Sequence, residues 1–196
     1  LRNPNVTIVE PDIEVFAVAQ VLPWGIDRID ADVVHATGNK GAGARVAVID
    51  SGIDYTHPDL TVAGGYDFAN NDSDPWDDNG HGTHVAGTIG AKDNDFGVVG
   101  VAPEAQLYAL KVLKASGSGS YSAVIAALQW AVNNDMDVTN NSYGSAGDPG
   151  VTVKTAFDNA YAAGVLNVCA AGNSSGAVIY PAKYASCVAV AATDRY

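Results

Sequence analysis

Short apolar runs separated by helical patterns constrain the fold of this 196-residue chain more than any other feature. Such runs are typical of strands that are buried on both faces of a parallel sheet. From about Ala44 onward the chain contains five of them: Arg45–Asp50, Leu107–Leu113, Asp137–Tyr143, Val165–Ala171 and Cys187–Thr193. Because strands and helices alternate along the chain, we predict an α/β fold with right-handed crossovers.

Helical patterns fill the intervals between these runs. Val124, Leu128 and Ala131 share one helical face. A second face, at spacings of three and four residues, is formed by Val153, Ala156, Phe157, Ala160 and Tyr161. Each pattern is the apolar stripe of an amphipathic helix.

Three of the predicted strands end in polar residues or glycine. Asp50 ends the first of them, Ser142-Tyr143-Gly144 follows another, and Gly172-Asn173 follows a third. In open parallel sheets, ligands collect beyond the carboxyl ends of the strands. We therefore expect these three segments to converge on one edge of the sheet.

Composition narrows the classes of function. The chain has 10 Lys+Arg against 22 Asp+Glu, and the net charge of −12 argues against nucleic acid and anionic membranes as partners. No apolar run approaches the length of a membrane span. The acidic surface fits cation binding or a salt-rich habitat, and it equally fits a surface that is merely soluble. Cys169 and Cys187 form no CxxC motif, so a zinc site is not expected, and the sequence leaves open whether the two pair.

Asp50 and His81 are candidates for two members of a catalytic triad. A carboxylate can orient an imidazole, which then takes a proton from a nucleophile. An Asp and a His taken alone are more often a structural pair, but their contexts, residues 46–54 and 79–88, resemble the Asp and His motifs of subtilisin-like serine proteases. The resemblance runs from Gln20 to Asp194 and includes His57–Leu60, Gly97–Pro103, Asn141–Gly144 and Ala170–Asn173.

The resemblance implies a three-layer α/β/α fold with a mainly parallel sheet, incomplete at its C-terminal side, and a serine endopeptidase that hydrolyses peptide bonds. It implies that the Asn173 side chain donates a hydrogen bond to the oxyanion. The alternative is that Gly172-Asn173 only forms a turn. It also implies that two backbone edges hold an extended peptide by strand addition, although their glycines also suit a flexible loop. These substrate-binding residues are Gly117, Ser118, Gly119, Tyr121, Ser142, Tyr143, Gly144, Ala171 and Gly172.

Calcium is the cofactor that the resemblance implies. The positions that match a strong calcium site of the family are Gln20, Asp59 and Asn94, together with the carbonyls of Lys92, Phe96 and Val98. The ammonium group of Lys92 would then have to point away from the ion. A second acidic loop, with Asp67, Asn70, Asp72 and Asp74, resembles another calcium loop of the family, and like charges at this density repel unless a cation or salt screens them. Loops without metal are the alternative for both.

The nucleophile is the member of the triad that the motifs do not supply. In the family, a serine in a Gly-Thr-Ser context follows the Asp and the His, and residues 1–196 contain no such segment. We therefore expect a protease that is cut short before its serine, and we expect this piece alone to be inactive. Residues 1–18 resemble the tail of a propeptide and residues 19–196 the first part of a catalytic domain, with self-processing between Val18 and Ala19. The resemblance further implies secretion, polypeptide substrates and binding of the propeptide.

Two other functions remain open at this point. The chain could belong to a non-catalytic relative that binds peptides or regulates, or it could be a calcium-binding structural module. His81 and His84 also form an HxxH pair, which could hold a metal, but the HExxH pattern of zinc proteases is absent and we interpret His84 as structural.

Overall fold

Eleven helices and strands follow one another in the computed structural model, which describes residues 19–194. In chain order they are α1 (Trp24–Arg28), α2 (Ala31–Ala36), β1 (Arg45–Asp50), β2 (Val62–Asp67), α3 (His81–Gly90), β3 (Gln106–Lys111), α4 (Tyr121–Asn133), β4 (Val138–Asn141), α5 (Val151–Ala162), β5 (Leu166–Ala170) and β6 (Cys187–Val190). The expected propeptide tail, residues 1–18, lies outside the described residues.

The six strands form one sheet in the order β2–β3–β1–β4–β5–β6, and every neighbouring pair is parallel. A strand lies within four of the five predicted apolar runs and overlaps the fifth, since β3 begins one residue before the run Leu107–Leu113, and the predicted α/β class is confirmed. Strand β2 was not predicted, because Gly64 and Gly65 interrupt its apolar pattern and most of its residues are at least partly exposed.

Helices cover both faces of the sheet, as the three-layer arrangement requires. On one face, Ala47 and Ile49 of β1 belong to a core that includes Leu128 of α4 and Phe157 of α5. On the other face, Val46 and Val48 of the same strand belong to a core with Ala86 of α3. The alternation along β1 follows from the two-residue period of a strand, which sends successive side chains to opposite faces.

The predicted helical faces are buried except at Ala156, which is partly buried, and at Tyr161. Val124, Leu128 and Ala131 of α4 are buried, as are Val153, Phe157 and Ala160 of α5. Tyr161 was assigned to the same face of α5, but it is 58% exposed. It lies about 100° around the helix from Ala160 and about 40° beyond Phe157, so it stands at the outer edge of the stripe. None of the helices between residues 19 and 194 has the length and apolar character that a membrane span requires.

The sheet order places the predicted strand ends side by side. Strands β1, β4 and β5 are neighbours, and they end at Asp50, Asn141 and Ala170. Since the strands are parallel, these ends lie at the same edge of the sheet. The candidate site is built there.

Candidate active site

Asp50 and His81 form a hydrogen-bonded pair at this edge. Asp50 is fully buried at the end of β1, and His81 is the first residue of α3. The Oδ1 atom of Asp50 lies 2.7 Å from Nδ1 of His81. An ionised carboxylate can only accept, so the imidazole carries its proton on Nδ1 and Nε2 keeps a lone pair. The imidazole side chain is 49% exposed, and it can therefore act as a base toward a group outside the sheet.

Opposing forces act on the Asp50 carboxylate. Burial raises the pKa of Asp50, hydrogen bonds from His81 and from the Ser51 N–H lower it, and the net shift is upward. Its Oδ2 atom is buried without a hydrogen-bond partner among the described residues. A carboxylate that lacks full solvation interacts strongly with a nearby positive charge. Proton uptake by His81 would supply that charge at a distance of one hydrogen bond.

The carboxylate of Asp77 anchors the start of α3. Its Oδ1 accepts hydrogen bonds from the Ser51 hydroxyl at 2.8 Å, the Gly80 N–H at 2.9 Å and the Asn79 N–H at 3.0 Å. Its Oδ2 accepts from the N–H of Thr83 at 2.9 Å and from the Thr83 hydroxyl at 2.5 Å. Burial alone would raise the pKa of Asp77, but these hydrogen bonds outweigh it and hold the pKa below its ordinary value. Asp77 therefore satisfies N–H groups that a helix start leaves without partners inside the helix.

Two further contacts join β1 to the segment that precedes His81. The Ser51 hydroxyl accepts from the N–H of Gly82 at 2.9 Å. Lys111, which is 1% exposed at the end of β3, donates from Nζ to the Ser51 carbonyl at 2.7 Å and to Oδ1 of Asp78 at 2.5 Å. The position of His81 relative to Asp50 is thus fixed by hydrogen bonds on both sides of the pair.

Sequence reasoning missed the supporting roles of Asp77, Ser51 and Lys111. Two signals could have identified them. An acidic residue four positions before the first residue of a helix can reach its free N–H groups, and a lysine inside an otherwise apolar strand needs a buried acceptor. Neither signal names the partner, which depends on how the strand end and the helix meet.

The loop with Gly117, Ser118 and Gly119 folds into a tight turn next to the pair. The N–H of Lys114 donates to the Ser118 carbonyl at 2.9 Å, and the N–H of Gly117 donates back to the Lys114 carbonyl at 2.8 Å. The amide of Asn79, two residues before His81, donates to the Ala115 carbonyl at 2.9 Å. This contact links the first predicted substrate edge to the segment that carries the histidine.

The second predicted edge is fastened to the end of β5 through residues 179 and 180. Ser145 and Tyr180 exchange backbone hydrogen bonds, and the Ile179 N–H donates to the Ala171 carbonyl. The hydroxyl of Tyr121 lies 3.0 Å from that of Ser145, which connects the start of α4 to this edge. Ser142, Tyr143 and Gly144, with Ala171 and Gly172, thus belong to one connected region at the ends of β4 and β5.

Tyr143 and Asn173 lie at the ends of β4 and β5. The Tyr143 hydroxyl donates to Oδ1 of Asn141 at 2.7 Å, and burial raises the pKa of this phenol well above its ordinary value. Asn173 is exposed and lines a cavity of about 410 Å³ together with Ala171 and Gly172. The oxyanion role of Asn173 stays a prediction.

The residues of the first predicted calcium site come together around one point. The Gln20 Nε2 atom lies 2.6, 3.1 and 3.4 Å from the carbonyl oxygens of Lys92, Val98 and Phe96. Asp59, which is 3% exposed, accepts from the Asn94 amide at 3.0 Å. The Gln20 side-chain amide has only two hydrogens to donate to these three carbonyl oxygens. The group of residues, which we call the cradle, therefore holds more hydrogen-bond acceptors than the Gln20 amide can satisfy.

The Asp59 carboxylate and the three carbonyls are oxygen ligands of the kind that calcium prefers. The Gln20 and Asn94 amides place their nitrogen atoms toward these oxygens, so both amides would have to turn their oxygen atoms toward a bound ion. The ammonium group of Lys92 donates to the Pro58 carbonyl at 2.9 Å. Its charge is therefore directed to a carbonyl outside the predicted set of ligands.

The side chains of the second predicted calcium loop do not converge on one point. Asp67 accepts from the N–H groups of Ala69 and Asn70 and from the Asn70 amide, which closes a tight turn. Asp72 accepts from the Asp74 N–H, and Asp74 accepts from the hydroxyl of Tyr55. Between residues 19 and 194, no group of three or more His, Cys, Asp or Glu side chains is placed to hold a metal ion. Calcium binding by this loop stays a prediction.

A buried carboxylate at a strand end, hydrogen-bonded to an imidazole on a neighbouring helix, places this protein among α/β proteins with an Asp–His site at the carboxyl edge of a parallel sheet. Residues 41–196 match the subtilase family, and the chain belongs to that family.

Several curated relatives are about half identical to the chain. M-protease of Shouchella clausii (strain KSM-K16) is 51% identical over 194 residues, which are 98% of this chain and 50% of that protein. Subtilisin Savinase of Lederbergia lenta is 53% identical over 178 residues, 90% of this chain and 65% of that protein. Subtilisin E of Bacillus subtilis (strain 168) is 48% identical over 200 residues, 98% of this chain and 52% of that protein. The chain therefore spans about half to two thirds of the length of these relatives.

Proposed function

We propose that the protein is a serine endopeptidase in which Asp50 and His81 activate a serine that residues 1–196 do not contain. The observation that carries the proposal is the 2.7 Å hydrogen bond between the buried Asp50 carboxylate and Nδ1 of His81. This bond leaves Nε2 to take the proton of a serine hydroxyl and to return it to the leaving amine. Relatives about half identical to the chain are named proteases and subtilisins, which supports the same function.

We assign the remaining roles from the two edges and from Asn173. The turn at residues 117–119 and the segment at residues 142–144 would hold an extended peptide through main-chain hydrogen bonds, which tolerate many sequences. The amide of Asn173 would donate to the oxyanion that forms on the scissile carbonyl. One such donor is worth about 3–4 kcal/mol in subtilisin, a member of this family.

The test of the proposal uses the full-length protein and a fluorophosphonate that labels activated serines. We expect one labelled serine, together with hydrolysis of unstructured polypeptides. We expect His81→Ala to lower both activities by roughly 10²–10⁴-fold or more, because the base is lost. A full-length protein that is neither labelled nor hydrolytic would instead fit a non-catalytic, peptide-binding relative.

We also propose that the protein binds calcium at the cradle formed by Gln20, Asp59, Asn94 and the three carbonyls. The cation would neutralise the buried Asp59 and tie residues 92–98 to the segment near Gln20. Affinity for calcium at millimolar concentrations is typical of extracellular modules, which is consistent with a secreted enzyme.

Finally, we propose that residues 1–18 are the tail of a propeptide, which would occupy the substrate cleft after cleavage between Val18 and Ala19. N-terminal sequencing of the active protein tests this. We expect a start at Ala19, and a start far from this position would rule the assignment out.

A further inference from the structure

Two cysteines lie on neighbouring strands behind the candidate substrate edge. Cys169 belongs to β5, Cys187 begins β6, and both are free thiols. The register of the two strands pairs Asn167 with Cys187 and Cys169 with Ala189. Cys187 faces the same side of the sheet as Asn167, its partner in the register, and Asn167 faces the same side as Cys169, two residues further along β5. Both thiols therefore lie on one face of the sheet, offset by two residues.

The surroundings of the pair are apolar and enclosed. Cys169 is 1% exposed inside the core between the sheet and helices α4 and α5, and Cys187 and Tyr143 pack against the same core. A hydrogen bond between the thiols, together with burial, raises the pKa of Cys169. The same hydrogen bond lowers the pKa of Cys187 against the opposing effects of burial and of Asp158.

The spacing of the strands disfavours a direct disulfide. Neighbouring strands lie about 4.8 Å apart and rise about 3.3 Å per residue, so an offset of two residues separates the Cα atoms by about 8 Å. Disulfides span Cα distances of about 4.4–6.8 Å, and longer spans require the backbone to move. An atom placed between the two sulfurs needs no such movement.

We propose that Cys169 and Cys187 form a two-thiolate site for a thiophilic d¹⁰ cation such as Cu⁺, Ag⁺ or Hg²⁺. Soft thiolates select such ions, which accept two ligands. Binding of Hg²⁺ forms two S–Hg bonds and releases two protons, with no change of oxidation state. Zinc fits less well, because it requires four ligands and the described residues place no group of three or more His, Cys, Asp or Glu side chains for a metal ion.

The experiment titrates the reduced full-length protein with Hg²⁺ and compares it with the double variant Cys169→Ala/Cys187→Ala. We expect the unchanged protein to bind one more ion per chain than the double variant by native mass spectrometry. At that equivalent, alkylation mapped by peptide mass spectrometry is expected to show both Cys169 and Cys187 protected. Each single variant, Cys169→Ala or Cys187→Ser, is expected to bind at least about 100-fold more weakly, because the chelate is lost.

Three outcomes would overturn the proposal. The first is that the two cysteines bind two separate ions. The second is that a single variant retains the full affinity for Hg²⁺. The third is that the unreduced protein contains a disulfide between Cys169 and Cys187, from which a reductant recovers the two thiols. Should the variants fail to fold, the titration of the unchanged protein still decides, since a chelated ion protects two thiols and a monodentate ion protects one.

Discussion

The carboxylate of Asp77 accepts hydrogen bonds from both sides of the gap between β1 and α3. On one side is the hydroxyl of Ser51, next to Asp50, and on the other are the N–H groups of Gly80 and Thr83, which flank His81. The two catalytic candidates, 2.7 Å apart, are therefore positioned by a residue whose hydrogen bonds go to their neighbours in the chain. At the residue scale, this makes Asp77 a positioning residue.

We predict that Asp77→Asn destabilises the protein by about 2–3 kcal/mol. The amide can accept through one oxygen only, and its NH₂ group would face the N–H of Thr83, so a charged acceptor and two hydrogen bonds are lost. Chemical unfolding of the sulfonyl fluoride-inhibited protein measures the change. Asp158→Asn is the control, because Asp158 forms an exposed pair with Lys154 and its loss should cost no more than about 0.5 kcal/mol. Equal effects of the two variants would contradict the role of Asp77.

Asp77 and Asp50 should also have opposite effects on the pH dependence of stability. The pKa of Asp77 is lowered by folding, so its contribution is complete above the usual pKa of about 3.9 and is lost as the pH falls through the lowered value. The pKa of Asp50 is raised, so the folded state loses stability as the pH rises from about 3.9 through the raised value.

Unfolding measured between pH 3 and pH 7 checks the two signs. As the pH rises from acid to neutral, the free energy of unfolding of Asp77→Asn should decrease relative to that of the unchanged protein. The free energy of unfolding of Asp50→Asn should increase relative to that of the unchanged protein. The same trend for both variants would show that at least one direction is wrong.

The sequence predicted the pair but not its support. Asp50 ends an apolar run and His81 lies in a specific motif, and both signals are local in the chain. The partners of Asp77 lie 26 residues upstream, at Ser51, and six residues downstream, at Thr83, and only the packing of α3 on β1 brings them together. A long-range hydrogen-bond network of this kind follows from tertiary structure, which the periodicity of a sequence does not encode.

At the scale of elements, α3 lies so close to β1 that one position tolerates no side chain. A Cβ atom on Gly82 would lie 2.1 Å from the Gly52 carbonyl oxygen and 3.2 Å from the Asp50 Cβ. A Cβ atom on Gly87, five residues further along the same helix, would meet nothing within 4 Å. A side chain at position 82 is opposed by steric contact, whereas at position 87 only the low helix propensity of glycine matters. Comparing substitutions at the two positions therefore distinguishes the two effects on stability.

We predict opposite signs for Gly82→Ala and Gly87→Ala. Alanine at position 82 should destabilise the protein by about 3 kcal/mol and lower kcat, because α3 must move away from Asp50. Alanine at position 87 should stabilise it by up to about 1 kcal/mol, since alanine is the better helix former. Thermal unfolding and peptide hydrolysis measure both variants. Stabilisation by Gly82→Ala would show that α3 does not pack on β1 at this distance.

Elements were predictable to the extent that they are apolar. The runs that became β1, β3, β5 and β6 are largely apolar. Strand β4, with Val138, Thr139, Asn140 and Asn141, is the exception among the predicted strands. The unpredicted β2 contains Gly64-Gly65 and lies at the edge of the described sheet. Helices α1 and α2 span five and six residues and bury only Ile26 and Ala31, so they leave too short a stripe to detect. The elements that were not predicted, β2, α1 and α2, depend on tertiary contacts and carry little hydrophobic pattern in their own sequence.

At the scale of the whole molecule, negative charge dominates, with 22 acidic residues against 10 basic ones. Such an excess opposes the compact state through self-repulsion. Cations that bind only the folded protein reverse part of this effect, and a ligand at 100 times its Kd contributes about 2.7 kcal/mol. The cradle of three carbonyls next to the buried Asp59 is the place where we expect such a cation to act.

We therefore predict that removal of calcium by a chelator lowers the Tm of the inhibited full-length protein, and that Asp59→Asn both lowers the Tm and abolishes most of its response to calcium. Asp95→Asn is the matched control, because Asp95 is exposed in the same loop and lies outside the predicted set of ligands. It should retain the full response. Differential scanning calorimetry in calcium, in chelator and in sodium chloride of equal ionic strength measures these differences. Sodium chloride that restores as much stability as calcium would show that screening of the acidic surface, and not a bound ion at Asp59, is responsible.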